Sequence, residues 1–304
     1  MKRRSLLILL VILMPSMCLG CISGDEGVSE DWNSIVKMAN QELEDGNSYN
    51  IEANEALENE DLEAALANID GALDCYGRAY DDIDQLRENA GGEEFLLDYV
   101  DAWQGQVEEI MKGLDYLGII INIDLFNKEF YEIASLHPTA QLQMTQAFNY
   151  YYGGDYDTAM TTAELSMNKY ATIEDTSNGL IVIAQAIGED YVITYVNGIK
   201  QLSVDATSCL EDLIDASQSA LDGDGDGSQT SIDAANGHYE GYIETLDLLI
   251  GIESVHQNAF PSQGYALQDL RSAYLSMKEN SESSAGFYAD KMSEIEVGNA
   301  EFFE

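Results

Sequence analysis

Proline is scarce. Three occur in 304 residues, and Pro15 stands near the N-terminus, leaving Pro138 and Pro261 as the two later breaks. Little therefore interrupts helices. Basic residues are also few: 13 Lys and Arg stand against 56 Asp and Glu, a formal charge of −43. A field of that sign repels polyanions, which removes nucleic acid and anionic lipid surfaces as partners. It favours cations, basic partners or solubility in high salt, where self-repulsion is screened. No run of alternating β-branched residues is long enough to build a sheet. No G-x-S-x-G elbow, H-E-x-x-H helix or P-loop is present, so no hydrolase or nucleotide-binding motif marks the chain. The three histidines, His137, His238 and His256, lack short metal-ligand spacing. His238 and His256 with Glu240 and Glu253 form only a loose candidate cluster.

What is present begins at the N-terminus. Lys2, Arg3 and Arg4 precede the apolar run Leu6–Met14, and Gly20 precedes Cys21. This order predicts a signal peptide over 1–20. "CLGC" resembles a lipobox, with Cys18 where leucine is usual. The resemblance implies that Cys21 is lipidated and anchors the chain to the extracytoplasmic face of the membrane. Residues 21–30 then form a short polar tether. Losing 1–20 removes three basic residues and no acid, so the mature chain is more acidic still. Cys75 and Cys209 remain in a compartment that can be oxidising. They read either as a disulfide or as two buried thiols on apolar helical faces.

Apolar content of 45% is enough for a packed core. The apolar residues recur at helical spacing. One stripe runs through Trp32, Ile35, Ala39, Leu43, Gly46, Asn50, Ala53 and Leu57. A second runs through Leu62, Ala65, Ile69, Ala72, Tyr76, Ala79, Ile83 and Leu86, with Glu58–Asp61 as the turn between them. A third runs through Leu96, Tyr99, Trp103, Val107, Ile110, Leu114 and Leu117. The dense patch Leu117–Ile123 reads as a buried helix end or a kinked continuation. Pro138 is expected to open a helix over Thr139–Tyr152, broken by Gly153–Asp155. Helices are expected over Tyr156–Ala171, over Ser177–Ala220 with a division near Gly188, and over Ile232–His256. Pro261 begins a last long region. The expected fold is all-α, in long antiparallel helical hairpins. The organisation is one helical domain over 31–221, an acidic loop over 222–233 and a C-terminal hairpin over 234–304.

Two segments look alike. "ENEDLEAALANIDGALDCY" and "YGGDYDTAMTTAELSMNKY" each place a turn and an Asp before small residues at helical spacing: Ala65, Ile69 and Ala72 in one, Ala159, Ala163 and Ser166 in the other. This resembles the second helix of a tetratricopeptide repeat, where small residues let two helices approach closely. The resemblance covers about two repeats and lacks the Trp and Leu-Gly pattern of the first helix. An elongated bundle with the same turn chemistry fits equally.

Two further strings suggest chemistry. "GGEEF" (91–95) matches the signature of diguanylate cyclases. In that family a strand with a metal-binding Asp, then Phe-Lys and Asn, lies upstream. Here the similar "INIDLFNKEF" lies downstream, and no cationic phosphate site is near. The string reads instead as a helix junction, with Gly91-Gly92 ending one helix and Glu93-Glu94 in the first turn of the next. "DGDGDGSQTSID" (222–233) resembles an EF-hand-like or dockerin-like calcium loop. The resemblance assigns Asp222, Asp224, Asp226, Ser228, Thr230 and Asp233 as oxygen donors, with Gly227 at the sharp turn. Gln229 replaces the usual aliphatic residue, and Asp233 replaces the longer Glu. The other reading is an acidic linker.

Tyrosine is abundant, and "NYYYGGDY" (149–156) concentrates it. Such clusters line peptide or sugar grooves, or cover the edge of a core with their hydroxyls in water. The combined expectation is a membrane-anchored, non-catalytic lipoprotein acting as a binding or scaffold module for a protein or peptide. The short lipobox and acidic balance resemble archaeal surface lipoproteins. The alternative is a calcium-stabilised ligand-binding or envelope enzyme-associated subunit.

Overall fold

The computed structural model describes residues 28–90, 93–261, 265–300 and 302–303. The signal segment, Cys21, most of the tether and Gly91-Gly92 lie outside the described residues. Seven helices and no strand occur among the described residues: α1 (Val28–Glu58), α2 (Leu62–Asn89), α3 (Glu94–Tyr152), α4 (Tyr156–Ile187), α5 (Asp190–Leu221), α6 (Gly225–Val255) and α7 (Gln268–Gly298). The all-α expectation holds, and α1 with α2, α4 with α5, and α5 with α6 pack as hairpins. Apart from α3, each helix is 28 to 32 residues long. One such helix nearly equals a whole 34-residue tetratricopeptide repeat.

Three hairpin turns are built alike. In the first, the N–H of Asp61 bonds the Ala56 carbonyl (2.9 Å) and the N–H of Glu60 bonds that of Leu57 (3.1 Å). This double bond closes a helix end around one left-handed residue. That residue is Glu60 in the first turn, Gly154 in the second and Gly223 in the third, with φ of 59°, 80° and 76°. The next residue is always aspartate. Asp61, Asp155 and Asp224 each accept a hydrogen bond from the backbone N–H three residues on, capping α2, α4 and α6. Each cap contributes on the order of 1 kcal/mol. So Asp-Gly-Asp at 222–224 is a turn, and residues 225–233 are the opening of α6 rather than a loop.

Two other expected boundaries are corrected, at Pro138 and at the end of α4, while the expected division near Gly188 holds. Pro138 does not open a helix but lies inside α3, which runs unbroken for 59 residues. It sits on an exposed side, where water can satisfy the carbonyl that loses its donor. The apolar patch Leu117–Ile123 is a continuation of the same helix and not a helix end. Helix α4 continues through 172–176, and α5 starts after Gly188, whose φ of 81° ends α4.

The helices divide into two compact units. The first comprises the described residues up to Ile121 together with those from Ser272 onward; the second comprises the described residues of 122–271. In the first, α1 and α2 approach through two reciprocal pairs. A Cβ on Gly46 would stand 3.2 Å from the Tyr76 ring, and one on Gly71 would stand 3.0 Å from the Tyr49 ring. Trp32, Tyr76, Tyr99 and Trp103 are buried in this unit. Tyr99 donates to Glu296 of α7 at 2.8 Å.

The second unit is a closed four-helix bundle of residues 122–152 of α3 with α4, α5 and α6. Ser166 of α4 donates to the Ala140 carbonyl of α3 (2.7 Å), and Tyr151 of α3 meets Ser228 of α6 (2.9 Å). Serine takes the close-packing role here. Ser177, Ser203 and Ser217 are fully buried and return their hydroxyls to carbonyls one turn back. The segment after α6 folds onto this bundle: Leu267 N–H bonds the Ala259 carbonyl (2.7 Å), and Phe260 stacks on Tyr195 at 3.7 Å. Arg271 closes it with a two-pronged pair to Asp124, at 2.9 and 2.8 Å.

Candidate functional site

The structure separates the oxygen donors assigned to calcium. Asp222 and Asp224 lie in the turn, and the Asp224 carboxylate is taken up by the Gly227 N–H at 3.0 Å. Asp226, Ser228, Thr230 and Asp233 stand on α6. Ser228 points inward to the Ala216 carbonyl (2.9 Å), Thr230 donates to the Asp226 carbonyl (2.9 Å), and Asp233 accepts from Gln229 (2.8 Å). A calcium loop must wrap its oxygens around one point, whereas a helix fans them outward. Among the described residues no group of three or more His, Cys, Asp or Glu converges. The histidine cluster is dispersed as well. His238 approaches Asp212 at 3.7 Å, His256 stacks on Tyr191 at 3.9 Å, and Glu253 accepts from Tyr195 at 2.6 Å.

Cys75 and Cys209 are free, buried thiols on α2 and α5, in different units. Burial pushes the Cys209 thiol up to about 12, with Asp212 adding to the shift. At neutral pH it stays protonated and is a poor nucleophile. At the GGEEF string, α2 ends at Asn89 and α3 begins at Glu94 in its acidic first turn, so the string spans the junction between two helices.

The buried polar groups of the second unit meet one another. The hydroxyls of Tyr170 and Tyr242 stand 3.3 Å apart, and His137 Nε2 reaches the Tyr242 hydroxyl at 3.3 Å. Burial lowers the His137 pKa, and burial raises those of both tyrosines. These groups therefore stay neutral near pH 7. Tyr170 and Tyr242 are fully buried and His137 is half-buried.

In the first unit, the α1–α2 face carries an open groove of about 480 Å³ lined by Met38, Gln41, Glu42, Arg78, Asp81 and Asp82. Arg78 there is held by Glu42 at 2.7 Å, so its charge is already spent.

A further feature is an aromatic strip along the α3–α6 edge of the second unit. Tyr156 meets Tyr151 edge-on, Tyr151 meets Tyr152, Tyr152 stacks with Phe148, and Phe148 reaches Tyr239 of α6. The successive ring centroids are 5.5, 5.4, 6.3 and 5.7 Å apart. Tyr152 is 66% and Tyr239 37% exposed. The turn positions the strip. The double-bonded end of α3 fixes Tyr150–Tyr152 on the last helical turn, and Asp155 starts α4 at Tyr156. Beyond Tyr239 the surface stays apolar along α6 through Ile243, Leu246 and Ile250, of which Ile243 and Ile250 are exposed. The tyrosine-rich string announced the first half of this surface. Its α6 half carried no comparable local signal, because the two segments are some 80–100 residues apart in the chain.

No family model, no curated protein and no solved structure matches this chain.

Proposed function

We propose that the chain is a lipid-anchored protein at the extracytoplasmic face of the membrane, held through Cys21, and that its helical body is a non-catalytic module binding a protein or peptide. The observation that carries the binding half is the aromatic strip from Tyr156 to Tyr239, exposed at Tyr152 and Tyr239, with its apolar continuation on α6. A monomeric surface rarely keeps a continuous apolar band of this kind without a partner. Tyrosine suits such a face, since its ring gives contact area and its hydroxyl tolerates water. The anchoring half is supported by the order of Lys2–Arg4, Leu6–Met14 and Cys21. The hairpin architecture agrees with a tetratricopeptide-like scaffold in style, with helices of about twice that family's usual length. The acidic lipobox-led sequence agrees with the archaeal surface-lipoprotein resemblance.

Two measurements test the reading. Replacing Cys21 with Ser should move the protein from the membrane fraction to the soluble fraction and abolish lipid labelling. Retention of membrane association would remove the anchor. Envelope extract passed over the wild-type protein and over a Tyr152→Ser/Tyr239→Ser variant should yield a species held by the first and lost from the second. Identical retention by both would remove the strip as the binding face.

A further inference from the structure

We infer that the strip and its continuation along α6 dock a cationic amphipathic helix. This inference rests on the binding-module reading above and specifies the chemistry of the partner.

The apolar positions on α6 are Tyr239, Ile243, Leu246 and Ile250, spaced i, i+4, i+7 and i+11. They form one stripe beside the buried stripe of Ile232, Ala235, Tyr242 and Leu249. A stripe of that spacing spans about 16 Å along the axis, some three helical turns. That length and straightness match the apolar face of another helix, whose anchors recur at the same spacing. A saccharide would need only the flat rings of Tyr152 and Tyr239, and leaves the aliphatic run unexplained.

Charge selects the sign of the partner. Glu240, Glu244 and Asp247 follow one another at i, i+4 and i+7 along the outer rim of the stripe, and all three are exposed. Helix α6 contains no Lys or Arg from Gly225 to Val255. The facing part of α3, from Ala134 to Tyr152, carries neither acid nor Lys nor Arg. The apolar band is thus bordered by negative charge on one side and neutral residues on the other. A helix with lysines along one flank of its apolar face complements that border. A second copy of this chain, at −43, brings like charge to the same rim and is repelled.

The probe is a synthetic Leu/Lys peptide of about four helical turns with leucine at helical spacing. A shuffled peptide of equal composition and a Leu/Glu version serve as controls. Binding to the full-length protein is read by fluorescence anisotropy across a salt series. The amphipathic Leu/Lys peptide should bind, and the other two should bind at least roughly tenfold more weakly. Ile243→Ser/Ile250→Ser should weaken binding by roughly tenfold with an unchanged circular dichroism spectrum, since both side chains are exposed. Glu240→Gln/Glu244→Gln/Asp247→Asn should weaken it several-fold and flatten its salt dependence. The matched charge removal on α4, Asp157→Asn/Glu164→Gln/Asp175→Asn, should change little. Equal binding of the shuffled peptide, or equal loss from the α4 variant, shows diffuse charge attraction and overturns the proposal. So does unchanged binding by Ile243→Ser/Ile250→Ser, self-association through the strip, or strip-dependent binding of a neutral oligosaccharide. If the peptide result fails while Tyr152 and Tyr239 still govern retention from envelope extract, the helix partner is wrong and the binding module stands.

Discussion

The two units solve the same packing problem with different residues. In the first, tyrosine rings lie over glycines: Tyr76 over Gly46 and Tyr49 over Gly71. In the second, buried serines allow close approach, and the core holds hydrogen-bonded Tyr170, Tyr242 and His137. The first unit also buries Lys278, which is 1% exposed and paired with Glu282 one turn on. Ring-on-glycine packing depends on shape, because the glycine offers nothing but room. Serine and tyrosine packing depends on partner satisfaction, because each hydroxyl needs an acceptor or donor. The first should therefore fail sharply when volume is added, and the second when one polar atom is removed.

The largest expected effect breaks the first side of that contrast. Gly46→Leu forces a side chain into the Tyr76 ring and should cost about 3 kcal/mol, read as a lowered denaturation midpoint. A cost under 1 kcal/mol would mean that the ring moves aside and that shape is not limiting. Next, Tyr170→Phe removes one hydroxyl from the second unit's core without changing ring volume. It leaves Tyr242 with His137 alone and should cost about 1–2 kcal/mol. The control Tyr131→Phe, at an exposed ring, should be neutral in the same denaturation series.

Smaller effects sharpen the comparison at the turns. Glu60 holds a left-handed conformation that Gly154 and Gly223 adopt without a side-chain clash. Glu60→Gly should stabilise the first hairpin by about 1 kcal/mol, and Gly154→Ala should destabilise the second by a similar amount. Opposite signs in thermal melts are the required result.

The smallest effect is pH dependence of the second unit. Burial lowers the His137 pKa below its ordinary 6.5, so the unfolded chain binds this proton more readily. The stabilisation from neutral His137 is complete above that ordinary value and is lost as pH falls below it toward the lowered folded value. Subtracting the stability profile of His137→Gln from that of the wild type should leave a component that declines on acidification. A flat difference between pH 7.5 and the acid range would remove His137 from that account.

Much of the helical frame is legible from spacing alone. Every residue of the second stripe except Leu62 is buried on α2, because amphipathic spacing follows from one helix facing one neighbour. Boundaries were less legible. The letters Asp-Gly-Asp serve a calcium loop and a helix-turn-helix cap equally, since both need a left-handed glycine and carboxylates beside backbone N–H groups. Pro138 reads locally as a break, yet the surrounding packing carries α3 through it on an exposed side. The Tyr170–Tyr242 contact joins positions 72 residues apart, so no local pattern encodes it. The α6 half of the apolar surface was hidden for the same reason: it becomes a surface only when α6 lies beside α3.

The three shared turns also set a rule for how such a chain can change length. Asp61, Asp155 and Asp224 each end one helix and begin the next, so a turn holds no spare residue. Inserting one residue in the helix that follows advances its angular phase by about 100° and swings its buried stripe out of the core. Phase is nearly restored by adding seven or eleven residues, and the addition must be matched in both arms of a hairpin. Long arms joined by three-residue corners are the form that this growth rule produces: the hairpins can lengthen in matched steps, and the corners cannot.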